Sequence, residues 1–242
     1  MSEALEGHLR RQIEHSGRFF WHRLRWRVAR SYLPEDSSFA LVDVGAGAGL
    51  LATYLAKDRP QASYRFVEPI ESLRTILRGQ HGEGADLLDA PDFGTAQFVT
   101  LLDVLEHQED DRAFMQDLVA KMADGSTLLL TVPALQRTWS PWDVALGHFR
   151  RYDKGTLGDA IADLPLKIEE LSFLFPEMVP LGRLRARKAD TKVIDADDAD
   201  AEFPDLPGPV NDVLYGLGTA SLALRRHWHR GTSLFLAATV SR

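Results

Sequence analysis

Three glycines at alternate positions, Gly45, Gly47 and Gly49, follow the apolar run from Leu41 to Val44 and lead into the apolar-periodic segment from Leu50 to Ala56. A short buried strand, a tight turn and a helix are predicted in that order. Without a Cβ the turn can take angles closed to other residues and let a ligand lie directly on the main chain. The unpaired N–H groups at the start of the helix then face any anionic group bound there. Asp43 interrupts the apolar run, where a carboxylate is costly unless it meets a donor or a cation. It is therefore assigned as a ligand-facing acid. A second strand, Ser63 to Glu68, ends on an acid about 20 residues past the glycines, where Rossmann-like folds place a carboxylate on ribose hydroxyls. The spacing fits a bound nucleoside.

The glycine pattern narrows which nucleoside. A dinucleotide fingerprint reads G-x-G-x-x-G, its third glycine allowing close helix packing, whereas here Gly49 comes two residues after Gly47 and Leu50 follows. Aspartate followed by alternate glycines resembles motif I of the class I S-adenosylmethionine-dependent methyltransferases. Leu102-Asp-Val-Leu-Glu-His107, Leu129-Leu-Thr-Val-Pro-Ala134, Trp139-Ser140 and Gly147-His-Phe-Arg-Arg-Tyr152 are similar to a bacterial subgroup of that family, often encoded in biosynthetic clusters. The resemblance covers roughly Phe19 to Asp153 and, more weakly, the C-terminal strand. It implies an α/β, Rossmann-like, seven-stranded and mostly parallel sheet with helices on both faces. An antiparallel last strand, an N-terminal helical cap and an insertion after the fifth strand complete the expected fold.

With 242 residues, 45% of them hydrophobic, the chain can bury one substantial core, and a single domain over 1–242 is expected. The net charge of −7 argues against a broad nucleic-acid surface. No Asn/Asp-Pro-Pro-aromatic motif stands at Asp103–His107 either, so no nucleic-acid partner is expected. Cysteine is absent, which excludes disulfides and thiolate chemistry. With no secretory apolar core and no membrane span, a cytoplasmic monomer or homodimer is expected.

In chain order, residues 1–35 form the helical cap, with Phe20, Leu24, Val28 and Tyr32 on its apolar face. Arg18, Arg23, Arg25, Arg27 and Arg30 form a basic face, read as solvated or as a peripheral contact with an anionic lipid or phosphate. Phe20 and Trp21 match family positions bordering the substrate. Pro69 starts a helix that Gly79 is expected to stop. A third strand should follow, but Gln80–Gly84 offers no apolar run. Asp86, with Asp89 next, is the candidate acid for the adenine amino group, and Leu87 flanks the ring. Gln97–Asp103 is a buried central strand, and the resemblance puts Asp103 beside the cofactor's methionine end. Residues 190–206, with seven acids against one lysine between Asp190 and Asp205, are expected to be a mobile acidic loop. Gly216 and Gly218 weaken the helix expected from Pro207 to Trp228.

Methyl transfer from a sulfonium is an in-line displacement that needs positioning and exclusion of water rather than a metal, and no metal site is expected. His107 and His148 are the candidate general bases for a hydroxyl acceptor, with Asp143 orienting His148; a structural role for His107 stays open. Trp21, Trp139, Arg150, Arg151 and Tyr152 are assigned to the acceptor, the last three alternatively to fastening the cap. Cofactor contacts are assigned to Asp43, Gly45, Gly47, Gly49, Glu68, Asp86, Leu87 and Asp103. The expected reaction is S-adenosylmethionine-dependent methylation, at oxygen, of a small molecule, saccharide or lipid precursor, yielding S-adenosylhomocysteine. An amine acceptor, or a non-catalytic protein that binds the cofactor or its product, is the alternative.

Overall fold

A computed structural model describes residues 19–189 and 206–242. Arg18 and the acidic run, up to Asp205, lie outside the described residues. Apolar runs, buried on both faces at the centre, make up six strands: β1 (Ala40–Val44), β2 (Ser63–Val67), β3 (Phe98–Leu102), β4 (Thr127–Pro133), β5 (Leu166–Leu174) and β6 (Ser233–Val240). They form one sheet in the order β2-β1-β3-β4-β6-β5. β2, β1, β3 and β4 run parallel, and β6 is antiparallel to both β4 and β5.

Alternation assigns each strand residue to a layer. Val42, Val44, Val99, Leu101, Leu128 and Leu130 pack against α4 (Asp111–Lys121) and α6 (Lys154–Ile161), through Met115, Leu118, Leu157 and Ile161. Leu41, Leu129 and Phe235 point the other way, towards α1 (Phe20–Arg30) and α2 (Leu50–Asp58), through Phe20, Leu24, Val28, Leu51 and Leu55. Asp110 starts α4 by accepting from Ala113 N at 2.9 Å, as the acidic run there leads one to expect.

Among the described residues the sheet has six strands, where seven were expected. After α3 (Glu71–His81) the chain makes a 3-10 turn at Glu83–Ala85 and touches β2 only by the single parallel bridge Phe66–Asp86. Gln80–Gly84 lacks the alternating apolar residues that would cover a sheet face, so pairing stops after that one bridge. Gly79 does not end α3 either. It sits in the helix with open space around it, and the stop comes at Gly82, whose φ of +86° suits glycine.

Two distant helices close one side of the sheet. α7 (Val179–Ala189) leads from β5, and α8 (Gly208–Ala223) lies across α1. Phe20 N, an unpaired donor at the start of α1, is capped in trans by Asn211 Oδ1 of α8 at 2.8 Å. Gly218 is placed where Leu24 crosses: a Cβ there would lie 2.2 Å from Leu24 Cδ1, whereas Gly216 faces open space. Helix propensity alone favours alanine at both positions. Gly218→Ala is instead expected to destabilise by about 1–3 kcal/mol through overpacking, and Gly216→Ala to stabilise slightly. Denaturant melts of the two variants check this, and equal effects would remove Gly218 from the α1 interface.

Candidate functional site

The carboxyl edge of the parallel strands opens into a cavity of about 630 Å³. The same alternation that sends Leu41 and Leu129 towards α1 also sends Asp43, Thr100 and Thr131 to that face, at the ends of their strands. Polar side chains therefore meet beneath the cavity floor. Thr100 Oγ1 donates to Asp43 Oδ1 at 2.8 Å, and Tyr64 donates to Oδ2 at 3.2 Å. Asp43 is 3% exposed, and burial pushes its pKa up to about 6 against these donors. Thr131 Oγ1 likewise donates to Asp103 Oδ1 at 2.8 Å. Asp103, Leu135 and Phe175, which follow β3, β4 and β5, all have positive φ. The sparsely populated backbone thus gathers at the edge where the cavity lies.

The arginine-bearing face of α1 is only partly solvated: Arg27 is exposed, whereas its neighbours have partners. Arg25 reaches from α1 to form an ion pair with Asp103 across the cavity. Arg30 pairs with Asp58 at 2.9 Å, the same carboxylate that accepts from Trp26 Nε1 at 2.7 Å. Arg23 lies 3.6 Å from the centre of the Tyr215 ring of α8. These partners sit on α2, just after β3 and on α8, far away in sequence, so the charge pattern of the helix alone could not reveal them. Phe20, Trp21 and Trp26 line the cavity, and Trp21 packs on Phe175 with ring centres 4.1 Å apart.

Of the residues expected at the cofactor, Asp43, Gly45, Gly47 and Asp103 line the cavity; Gly49, Glu68, Asp86 and Leu87 do not. Gly45, at φ +72°, leaves no room for a Cβ, which would lie 2.5 Å from Val104 Cγ2. Glu68 is turned under the glycine loop, accepting from Gly47 N at 2.7 Å and Ile70 N at 2.8 Å. Burial raises its pKa to about 7. Asp86 is held by Arg78 Nε at 2.7 Å and Arg74 Nε at 3.2 Å, clasping α3 to the loop after it, while Leu87 is buried in the core with Val44. Neither borders this cavity, because the chain after α3 turns Asp86 onto the arginines of that helix and Leu87 into the core.

On the acceptor side, the segment after β4 folds back as α5 (Pro141–Ala145) and a turn at Gly147, φ +73°. Asp143 is wholly buried and accepts from Ser140 N at 2.9 Å, from Arg151 Nε at 2.7 Å and from Arg151 Nη2 at 3.0 Å. Burial alone would raise its pKa, but hydrogen bonds from His148 and Arg151 and the Arg151 charge outweigh burial and bring it down to about 2. The Gly147 turn returns His148 to Asp143, with Nδ1 3.0 Å from Oδ1. Because an ionised carboxylate only accepts, Nδ1 carries the hydrogen, and in the neutral imidazole the lone pair is then on Nε2. Phe149 N donates to Glu106 O at 2.8 Å, stitching this segment to the 3-10 turn Leu105–His107 after β3. His107 and His148 meet edge to face, ring centres 4.7 Å apart. Burial, reinforced by the neighbouring His148, pushes the His107 pKa down to about 4.

His107, His148, Arg151 and Trp21 line the cavity; Trp139, Arg150 and Tyr152 do not. Arg150 pairs with Asp111 at 2.7 Å, and Tyr152, almost fully buried, donates to the same carboxylate at 2.8 Å. They fasten the segment to α4. Trp142, on the cavity face of α5, lines the wall in place of Trp139. Sequence reasoning also left Glu106 without a role and read Arg25 only as part of a basic outer face, although both line the cavity. The signal for Glu106 was its place next to His107 in the first turn after a central strand. Arg25 carried no signal of its own.

A family model described as a methyltransferase domain matches residues 14–171. No curated protein matches the sequence. Among solved structures, the chain is similar to one from the complex between the Haloferax volcanii Trm112 methyltransferase activator and a methyltransferase, with TM-score 0.61 and 13% identity over 99% of this chain and 96% of that one. It is also similar to the Haemonchus contortus phosphoethanolamine N-methyltransferase 2, with TM-score 0.54 and 14% identity over 91% of this chain and 53% of that one. The [4+2]-cyclase SpnF has TM-score 0.55 and 14% identity over 91% of this chain and 81% of that one. The fold is therefore shared by proteins of different reactions, and its chemistry has to be argued from the site.

Proposed function

Because the chain belongs to the methyltransferase-domain family, we propose that it transfers a methyl group from S-adenosylmethionine to an oxygen of a small-molecule, saccharide or lipid-precursor acceptor. The observation that carries this reading is the composition of one cavity. The glycine loop at Gly45 and Gly47, the acids Asp43 and Asp103, an aromatic wall on α1 and the Asp143–His148 pair all border the same space. The cofactor is S-adenosylmethionine, and its cationic sulfonium and ammonium groups suit the acidic floor. Gly45 and Gly47 let it lie against the main chain. α1 covers it and excludes water, with Phe20, Trp21 and Trp26 as the apolar lid.

The acceptor enters beside His148. Its oxygen attacks the methyl carbon in line with the C–S bond, the C–S electron pair goes to sulfur, and S-adenosylhomocysteine results. The hydroxyl proton passes to His148 Nε2, whose tautomer and direction are held by Asp143. Arg151 holds Asp143 in turn. This makes His148 the base and Arg151 a positioning residue.

Titration calorimetry with S-adenosylmethionine, S-adenosylhomocysteine and NAD tests the reading first. Binding of the first two alone is expected, and binding of NAD alone would overturn it. His148→Ala is then expected to lower turnover by about 10²–10⁴-fold, with cofactor affinity unchanged. Turnover that survives this substitution on a hydroxylated acceptor would remove His148 from catalysis.

A further inference from the structure

Glu106 is the one cavity acid the mechanism above leaves idle. It is 1% exposed; its Oε1 lies 4.0 Å from His148 Nε2, and its Oε2 finds no hydrogen-bond partner among the described residues. A buried carboxylate oxygen with no donor is costly unless something else binds it. Two imidazoles stand beside it. The ligating atoms of Glu106, His107 and His148 all lie within 4.8 Å of one another. His148 is also held from behind by Asp143 through Nδ1 at 3.0 Å, while His107 is packed edge to face against His148. A carboxylate or carbonyl on the far ring nitrogen is the outer contact that orients an imidazole for a metal.

We propose that Glu106, His107 and His148 bind a first-row divalent cation, Zn²⁺ or Mn²⁺ rather than Mg²⁺, and that this cation receives the acceptor oxygen. Two nitrogens and one carboxylate suit such ions, whereas Mg²⁺ prefers an all-oxygen set. Bond lengths of about 2.1 Å put neighbouring ligands roughly 3–4 Å apart, so the triad closes slightly on binding. The three groups come from the turn after β3 and the loop after α5, and the remaining coordination positions face the cavity. Those positions select an acceptor with a hydroxyl beside a second oxygen, such as a vicinal diol, a catechol or a hydroxy acid. The bound hydroxyl loses its proton to solvent, its oxygen forms the new O–CH₃ bond, and the S–CH₃ bond breaks with its electron pair going to sulfur. His148 then serves as a ligand in place of a base. The acceptor class rests on the methyltransferase reading, whereas the cation site does not.

The test is calorimetric titration of ZnCl₂, MnCl₂ and MgCl₂ into the full, untagged chain after dialysis against chelator. One equivalent of Zn²⁺ or Mn²⁺ is expected to bind, with Mg²⁺ at least about 100-fold weaker. Glu106→Gln and His107→Ala are each expected to weaken binding at least about tenfold, with melting temperatures near wild type. Absence of binding, or affinity unchanged in both variants, overturns the site. If a variant fails to fold, NMR of the wild-type imidazoles decides: Zn²⁺ is expected to shift His107 and His148, and shifts confined to other histidines overturn the proposal. Titrating S-adenosylmethionine into the chelated protein separates the two readings. Cofactor binding without cation binding removes only the metal site, and cation binding at the triad without cofactor binding removes only the methyltransferase reading.

Discussion

Asp43→Asn is expected to make the unliganded protein more stable above neutral pH while weakening S-adenosylmethionine binding by about 10–100-fold, the scale of a lost hydrogen bond to a charged group. The Asp43 carboxyl is held in the sheet with its pKa raised from 3.8 to about 6, chiefly by burial. A raised pKa means the folded state binds the proton more tightly than the unfolded one. The contribution is therefore complete below about pH 4 and lost as pH rises through 6. Two units correspond to about 3 kcal/mol, an upper figure for what the charge costs at pH 8. Asparagine keeps an oxygen for Thr100 and turns an N–H₂ towards Tyr64, so the shape survives and the ionisation does not. Thermal melts from pH 4.5 to 8 should show the variant matching wild type at the acid end and exceeding it at the alkaline end. Parallel pH profiles would show that Asp43 carries no ionisation cost, and unchanged affinity would remove it from the cofactor site.

Arg151→Met should instead damage the whole acceptor side. Asp143 is wholly buried, and Arg151 supplies two of its hydrogen bonds. Removing one partner of such a pair strands a buried charge, at a cost of about 3–5 kcal/mol, or a fall in melting temperature of roughly 10 °C for a chain of this size. The Asp143 pKa is depressed, so its stabilisation is complete above about pH 4 and lost as pH falls towards 2. The variant should therefore lose the acid limb of the wild-type stability profile as well. Replacing both partners, Arg151→Met with Asp143→Leu, should recover much of the stability but not turnover, because His148 has lost its orienting carboxylate. An unchanged melting temperature with a raised KM would make Arg151 an acceptor ligand and not a brace.

The glycine loop, its flanking strand and the helix after it were legible because their constraints are local: three glycines, an apolar run and a period change lie within ten residues. The missing third strand was foreshadowed by the empty pattern at Gln80–Gly84. What could not be read depends on contacts across the chain. Arg25 looks like its neighbouring arginines until β3 brings Asp103 opposite it. Trp139 and Trp142 differ only in which side of α5 they occupy. Arg150 and Arg151 are adjacent in sequence, yet one braces Asp111 on α4 and the other Asp143 beneath His148. Asp86 fits the spacing of an adenine acid but meets two arginines of α3, whose side chains no local pattern ties to it.

The clasp between α1 and α8 sets an order of events during synthesis. Residues 43–107 supply the glycine loop, both floor acids and the first histidine, but the helix that covers them is anchored by Asn211, 191 positions after Phe20. α1 emerges long before α8, and although β1 and α2 can meet its apolar face early, its Phe20 end stays uncapped until almost the entire chain has followed. Such a long-range closure is slow in its own right. A nascent chain stalled anywhere before α8 would carry an open cleft in place of a roofed chamber, so ligand retention on the ribosome would report the arrival of that last helix.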